Sequence, residues 1–186
     1  MQIDASTYKP SLPPKKRNGK LMVKVAIKLL IINQVEAINM RFASKLHLSL
    51  SWNDSRITYL HLKESGNNLD AFKNQLWIPN LIFLNSENSI ETFDTRGHLQ
   101  VMRNGQPIWA NHELLDEEKF YAGSENTLVF TALYDNQFEC VYDLAKYPFD
   151  TQKCSIIIDV GLMHRKDLQL VEDLCEYAGP KHFSGQ

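Results

Sequence analysis

The sequence predicts an all-β fold, an antiparallel sandwich or barrel with loops at both ends. Three observations carry that expectation. From Leu21 the odd positions Leu21, Val23, Val25, Ile27, Leu29 and Ile31 are all apolar, with Lys24 and Lys28 between them, the period-two pattern of a half-buried strand. From Phe42 the apolar set moves to even positions, Phe42, Leu46, Leu48, Leu50 and Trp52, while Arg41, Lys45, His47, Ser49 and Ser51 face the other way. No stretch keeps a long helical period, which leaves sheet against sheet as the way to bury these faces.

Taken in order, residues 1–20 come first as a polar arm: Pro10, Pro13, Pro14 and the run Lys15-Lys16-Arg17 show no periodicity, and a solvated lead-in is expected. Residues 21–186 are expected to form the sandwich. The two alternating runs at Leu21 and Phe42 are its first strands. Leu99 to Met102 and Ile108 to Trp109 flank Arg103-Asn104-Gly105-Gln106. Asn-Gly supplies the two positive-φ residues of a tight two-residue turn, so these runs are expected to pair as a hairpin. The acidic stretch from His112 to Lys119 is expected to be a loop insertion or one helical turn, and Thr127 to Leu133 and Ser155 to Val160 add β-branched strands. There is no internal repeat and no low-complexity tract.

Composition narrows the function classes. The 186 residues carry 20 Lys+Arg against 22 Asp+Glu, a formal net charge of −2, so there is no basic field to hold a nucleic-acid backbone. With 44% hydrophobic and 23% charged residues the chain has the mix of a folded domain, not of disorder. No apolar run reaches the roughly 20 residues of a membrane helix. There is also no G-x-S-x-G, H-E-x-x-H, phosphate-binding glycine loop or C-x-x-C to suggest an enzyme. The six histidines include no pair at metal-ligand spacing; His112 beside Glu113 is read as solvated.

The cysteines are the sharpest signal. Cys140 and Cys154 enclose VYDLAKYPFDTQK, centred on Tyr147-Pro148-Phe149-Asp150. A bond closing that loop would stabilise the fold by about 3 kcal/mol in the chain-entropy model. Two reduced core thiols on neighbouring strands fit the same spacing equally well.

At this loop the sequence resembles the extracellular ligand-binding domain of the Cys-loop receptors, the pentameric ligand-gated ion channels, whose disulfide closes a loop with the same aromatic-Pro-aromatic-Asp centre. The likeness extends to Trp52-Asn53-Asp54-Ser55-Arg56-Ile57, similar to the family's W-x-D-x-R-L. It extends again to LWIPNLIFLN at 76–85, similar to W-x-P-D-x-x-F-x-N and departing from it at Asn80. The resemblance implies a Cys140–Cys154 disulfide with Cys175 left in an unpartnered loop. It implies an antiparallel β-sandwich of the neurotransmitter-receptor type, truncated before its last strands, since the chain stops at His182-Phe183-Ser184-Gly185-Gln186. Trp52, Asp54, Arg56, Trp77 and Pro79 are its structural motif residues, which agrees with a plain reading of both tryptophans as core and of Asp54 with Arg56 as a pair. Asn53-Asp54-Ser55 is also a glycosylation sequon, set against that packed motif.

What the resemblance implies about function is a homo- or hetero-pentamer with related subunits on the extracellular side of the plasma membrane. Such a pentamer binds a small neurotransmitter-like molecule between neighbours and opens a pore through a transmembrane domain not present in this sequence. No cofactor, metal or nucleic acid is implied. Carried over residue by residue, the ligand-box positions fall on His47, Ile82, Leu84 and Gly161. A ring face attracts a desolvated ammonium by about 0.5–2 kcal/mol, and none of these four offers a Phe, Tyr or Trp ring. Read without the family, His47 is a polar residue on an exposed strand face.

The family's coupling positions fall on Val35 and Glu36 in the first turn and on Tyr147, Pro148, Phe149 and Asp150 in the Cys-loop. Read alone, Glu36 and Asp150 are two exposed surface carboxylates. A secreted pentameric binding protein of the same fold, without a pore, is the alternative. The apolar tip Tyr147-Pro148-Phe149 favours the channel.

Overall fold

The computed structural model describes residues 2–3, 8–15, 19–87, 97–109, 119–147, 149–161 and 165–179. Its strands are β1 (Gln2–Ile3), β2 (Leu21–Glu36), β3 (Arg41–Trp52), β4 (Ile57–Leu60), β5 (Asn67–Asn68) and β6 (Leu81–Phe83), with a 3-10 turn at Asp70–Gln75 before β6. There follow β7 (His98–Met102), β8 (Ile108–Trp109), β9 (Lys119–Ala122), β10 (Thr127–Glu139), β11 (Ile158–Val160) and β12 (Leu168–Tyr177). Among the described residues no helix is long and apolar enough to cross a membrane.

The strands make a six-stranded sheet in the order β12-β2-β3-β10-β7-β5, a four-stranded sheet β1-β4-β9-β8, and a two-stranded sheet β11-β6. In β3 the alternation read from the sequence holds at every position: Phe42, Ser44, Leu46, Leu48, Leu50 and Trp52 are buried and the residues between them are not. Phe83 of β6 meets Tyr134 and Phe138 of β10 with ring centroids at 5.4 and 5.6 Å. That aromatic contact presses the small sheet face to face on the large one, as a sandwich requires.

Three expectations are corrected. The odd-numbered face of β2 is buried only through Val25. Register shifts against β3 lie between Leu29 and Ile31 and between Ile32 and Gln34. A bulge inserts a residue and swaps faces, so Ile31 is 40% exposed while Ile32 packs on the core.

The expected hairpin across Asn104-Gly105 does not form. β7 pairs with β10 and β5, and β8 pairs with β9, so the chain changes sheets there. Neither Asn104 nor Gly105 has a positive φ. Instead the Asn126 side-chain oxygen accepts from the Asn104 and Gly105 amides at 3.0 and 3.2 Å. A Cβ on Gly105 would come within 2.5 Å of the Glu125 carboxylate, so glycine serves close approach here and not turn handedness.

The solvated arm gives way to a docked segment over 8–15, where Tyr8, Pro13 and Pro14 are buried, and Gln2–Ile3 pairs with β4. The acidic stretch at 112–118, with His112 and Glu113, lies outside the described residues, as do Pro148 and the terminal 182–186.

Candidate functional site

Two regions hold the residues singled out above, His47 excepted. The first is built on the core. Trp52 and Trp77 are 1% and 3% exposed and pack edge to face at 5.9 Å. Just past β3 the chain turns with Asp54 fully buried, and the Arg56 guanidinium closes on it through Nε at 2.9 Å and Nη2 at 2.7 Å. A buried carboxylate is tolerable only when paired in this way. Asn53 donates from its amide nitrogen to the Ser124 carbonyl at 3.2 Å, the same nitrogen a glycan would occupy.

From Trp77 the chain runs through Ile78 and Pro79 into β6. There Leu81 and Phe83 point inward, Ile82 is half-buried, and Leu84 is 53% exposed. β11 pairs with β6 in the register Ile82 opposite Asp159. Gly161 follows, and a Cβ there would lie 3.8 Å from the Ile82 methyl Cδ1. Three of the four ligand positions, Ile82, Leu84 and Gly161, are thus gathered on the two-stranded sheet. His47 is not with them: it stands on β3 of the six-stranded sheet, in register with Lys28 and Leu133, on the side away from the buried even positions.

Asp159 joins this group without being marked in the sequence: it is cross-strand partner to Ile82 and forms an ion pair with Arg165. That pair, followed by the Val160 amide donating at 2.7 Å, holds the Asp159 carboxyl below its ordinary range. No motif marks it, because only the β6–β11 register brings it to the site.

The second region is one end of the sandwich. Cys140 and Cys154 are bonded, with Cα atoms 5.4 Å apart. Inside the loop, Gln152 donates to the Asp143 carbonyl at 2.7 Å and accepts from the Asp143 amide at 3.0 Å, and it also donates to Asp150. The β2–β3 turn lies against this loop. Met40, held at φ 51°, accepts from the Cys140 amide through its carbonyl at 2.8 Å, and its sulfur accepts from the Tyr142 amide at 3.3 Å. The Tyr142 hydroxyl donates to the Arg41 carbonyl at 2.9 Å.

Glu36 is no idle surface charge. Gln34, Asn39 and Arg41 donate to it at 2.5, 2.6 and 2.6 Å, and Arg41 also reaches Glu87 at 2.9 Å. Asn39 first, then Arg41, hold the Glu36 carboxyl below its ordinary range. Around the pair of loops, Val35, Ile38, Val141, Tyr147 and Phe149 are 63, 95, 88, 73 and 91% exposed. A cavity of about 970 Å³ between these loops and β12 is lined by Leu29, Ile32, Val35, Phe42, Tyr147 and Asp150 among others. Cys175 also lines it and is unpaired, but it stands on β12 in register with Ile27, not in a loop.

The sequence is similar to the acetylcholine receptor subunit beta of Xenopus laevis, 23% identical over 83% of this chain and 29% of that protein. It is similar to the gamma-aminobutyric acid receptor subunit theta of Mus musculus, 25% identical over 83% of this chain and 21% of that protein. It is also similar to the serotonin-gated chloride channel mod-1 of Caenorhabditis elegans, 20% identical over 91% of this chain and 31% of that protein. The chain thus spans less than a third of the length of each of these relatives. The profile of the neurotransmitter-gated ion-channel ligand binding domain matches residues 3–174. With that match over nearly all of its length, a fold built of packed β-sheets and a closed Cys140–Cys154 loop, the chain belongs to the neurotransmitter-gated ion-channel ligand-binding domain family.

Proposed function

We propose that this chain is the extracellular ligand-binding and gating domain of a channel subunit that works as a homo- or hetero-pentamer, with a ligand box from which the aromatic rings are gone. The observation that carries the proposal is the exposed apolar end formed by the β2–β3 turn and the disulfide loop. Val35, Ile38, Val141, Tyr147 and Phe149 crowd there, and a patch of that kind marks a surface meant to be covered. A membrane-anchored pore domain of the same subunit is the partner this reading supplies. A secreted pentamer without a pore would leave the same patch in water, so that alternative is not favoured.

For ligand, Ile82, Leu84 and Gly161 offer apolar contact and space, and the Asp159–Arg165 pair offers charge. Loss of the rings removes the cation–π attraction of about 0.5–2 kcal/mol each. The ligand class that fits is a small molecule recognised by ion pairing more than by ring faces. The test is expression of the complete subunit in oocytes, alone and with related subunits, under a panel of small amines and amino acids. A ligand-evoked current with acetylcholine ineffective at micromolar concentration is the expected result. A micromolar acetylcholine response from the subunit alone would overturn the box assignment, and a secreted product with no current would overturn the channel reading.

A further inference from the structure

We infer that the Tyr8 hydroxyl is a positioning group for the ligand-facing strand β6, acting through the backbone amide of Trp77. The inference rests on the reading of Ile82 and Leu84 as ligand-facing.

Tyr8 lies far from Trp77 in sequence but is buried beside it, 8% exposed. Its hydroxyl donates to Asp54 Oδ2 at 3.2 Å and accepts from the Trp77 amide at 2.9 Å. The polarity of the relay is fixed at both ends. A carboxylate can only accept and an N–H can only donate, so one hydroxyl spends its proton on the first and a lone pair on the second.

Burial, with the Asp54 charge adding to it against the Trp77 and Arg56 contributions, lifts the Tyr8 pKa to about 12, and the phenol keeps that proton. The segment is clamped from the other side as well. The Arg56 guanidinium sits 4.3 Å above the Tyr8 ring and donates to the Leu12 carbonyl at 2.9 Å.

What the amide bond adds is direction. The Trp77 ring is fixed by packing on Trp52, and β6 further on is held in register by β11; the amide bond fixes the backbone where the segment between them begins. From Trp77 the chain reaches β6 within a few residues, where Leu81 and Phe83 face in and Ile82 and Leu84 face out. Side chains alternate along a strand, so a one-residue slip would exchange the two sets. The Trp77 amide anchors the start of that count, and Tyr8 holds the amide. A ring that merely fills space could do without its oxygen.

Tyr8→Phe keeps the ring and its contact with Arg56 and deletes only the relay. The chain has three tryptophans, so 15N-tryptophan labelling gives three backbone amides whose hydrogen exchange can be followed one by one. The expected result is exchange at Trp77 faster by roughly tenfold, as for a buried N–H that loses its acceptor, with Trp52 unchanged. Equal rates for Trp77 in wild type and Tyr8→Phe, or equal acceleration at Trp52, would overturn the inference.

Should Tyr8→Phe fail to fold, 3-fluorotyrosine at position 8 keeps the hydroxyl and its ring but weakens the oxygen as an acceptor. Exchange at Trp77 faster than in wild type, with Trp52 unchanged, then supports the relay, and equal rates refute it. In the complete receptor, Tyr8→Phe is expected to raise the half-maximal agonist concentration several-fold while the maximal current is kept. A loosened Trp77 amide with an unchanged agonist response would leave the relay standing and overturn the ligand-facing role of 82–84.

Discussion

At the scale of single residues, two well-partnered carboxylates, Asp54 and Asp70, serve the fold and not the proposed ligand cluster. Asp54 has no exposure and is neutralised by Arg56, so its W-x-D-x-R spacing is a packing device. Asp70 is less obvious from sequence. Against a desolvation that pushes its pKa up, the Leu99 amide at 2.7 Å, His98 at 3.0 Å and Asn68 at 3.1 Å hold Asp70 down to about 2, from 3.8. A carboxyl whose folded pKa is depressed stabilises the fold fully above its unfolded pKa and stops doing so as pH falls through the folded one. Asp70 therefore ties the 3-10 turn before Trp77 to β7 at neutral pH and loosens between about pH 4 and pH 2. In an acid titration followed by circular dichroism, Asp70→Asn should be less stable than wild type at pH 7 and lose less stability across that window. A variant whose acid limb matches wild type would show that Asp70 contributes nothing there.

At the scale of elements, legibility follows how each strand is partnered. β3 is central in the large sheet with one face buried along its whole length, so its sequence alternates without fault. β2 is bulged twice, and a bulge cannot be seen in an apolar run such as Leu29-Leu30-Ile31-Ile32, where both faces are greasy. The Asn104-Gly105 signal was a local rule overridden by a distant side chain, Asn126, and nothing in the dipeptide announces that. β12 pairs parallel to β2 with seven of its ten residues exposed, and its acidic composition hides it. Of the candidate site, the motif residues and the disulfide loop were legible through the family resemblance they carry, since the cysteine spacing by itself fits a bond and two thiols equally well. Asp159 and Tyr8 were not, because a strand register and a docked segment bring them into place. The cysteines give a direct check. Alkylation without reductant should label Cys175 alone, since it is exposed and unpaired, and a digest of the same sample should show Cys140 linked to Cys154. The Cys140→Ser, Cys154→Ser double variant should lose about 3 kcal/mol in urea unfolding. Label on Cys140 or Cys154 in the unreduced protein would contradict the structure.

At the scale of the whole molecule, the gathered ligand positions and the apolar end are separate regions, and a gating domain must connect them. β10 and β3 run the length of the large sheet, and β3 leads from the Trp52 motif down to Arg41 at the turn. At that end Glu36 gathers Gln34, Asn39 and Arg41, and Asp150 takes the Gln152 amide that braces the disulfide loop. The two loops are joined through Met40 and Tyr142, so a shift in one is carried to the other. Removing the Glu36 carboxylate leaves Arg41 still held by Glu87, and the turn keeps its Met40 bonds to the disulfide loop, so the fold should survive. What is lost is the charge presented to whatever covers the apolar end. On the proposed reading, Glu36→Ala or Asp150→Ala in a complete receptor reduces agonist-evoked current while surface labelling and ligand affinity stay near wild type, and Glu36→Gln, which keeps the acceptor oxygen, loses less. A mutant that gates normally, or that fails only because it never reaches the surface, would make that carboxylate a staple of its own loop and nothing more.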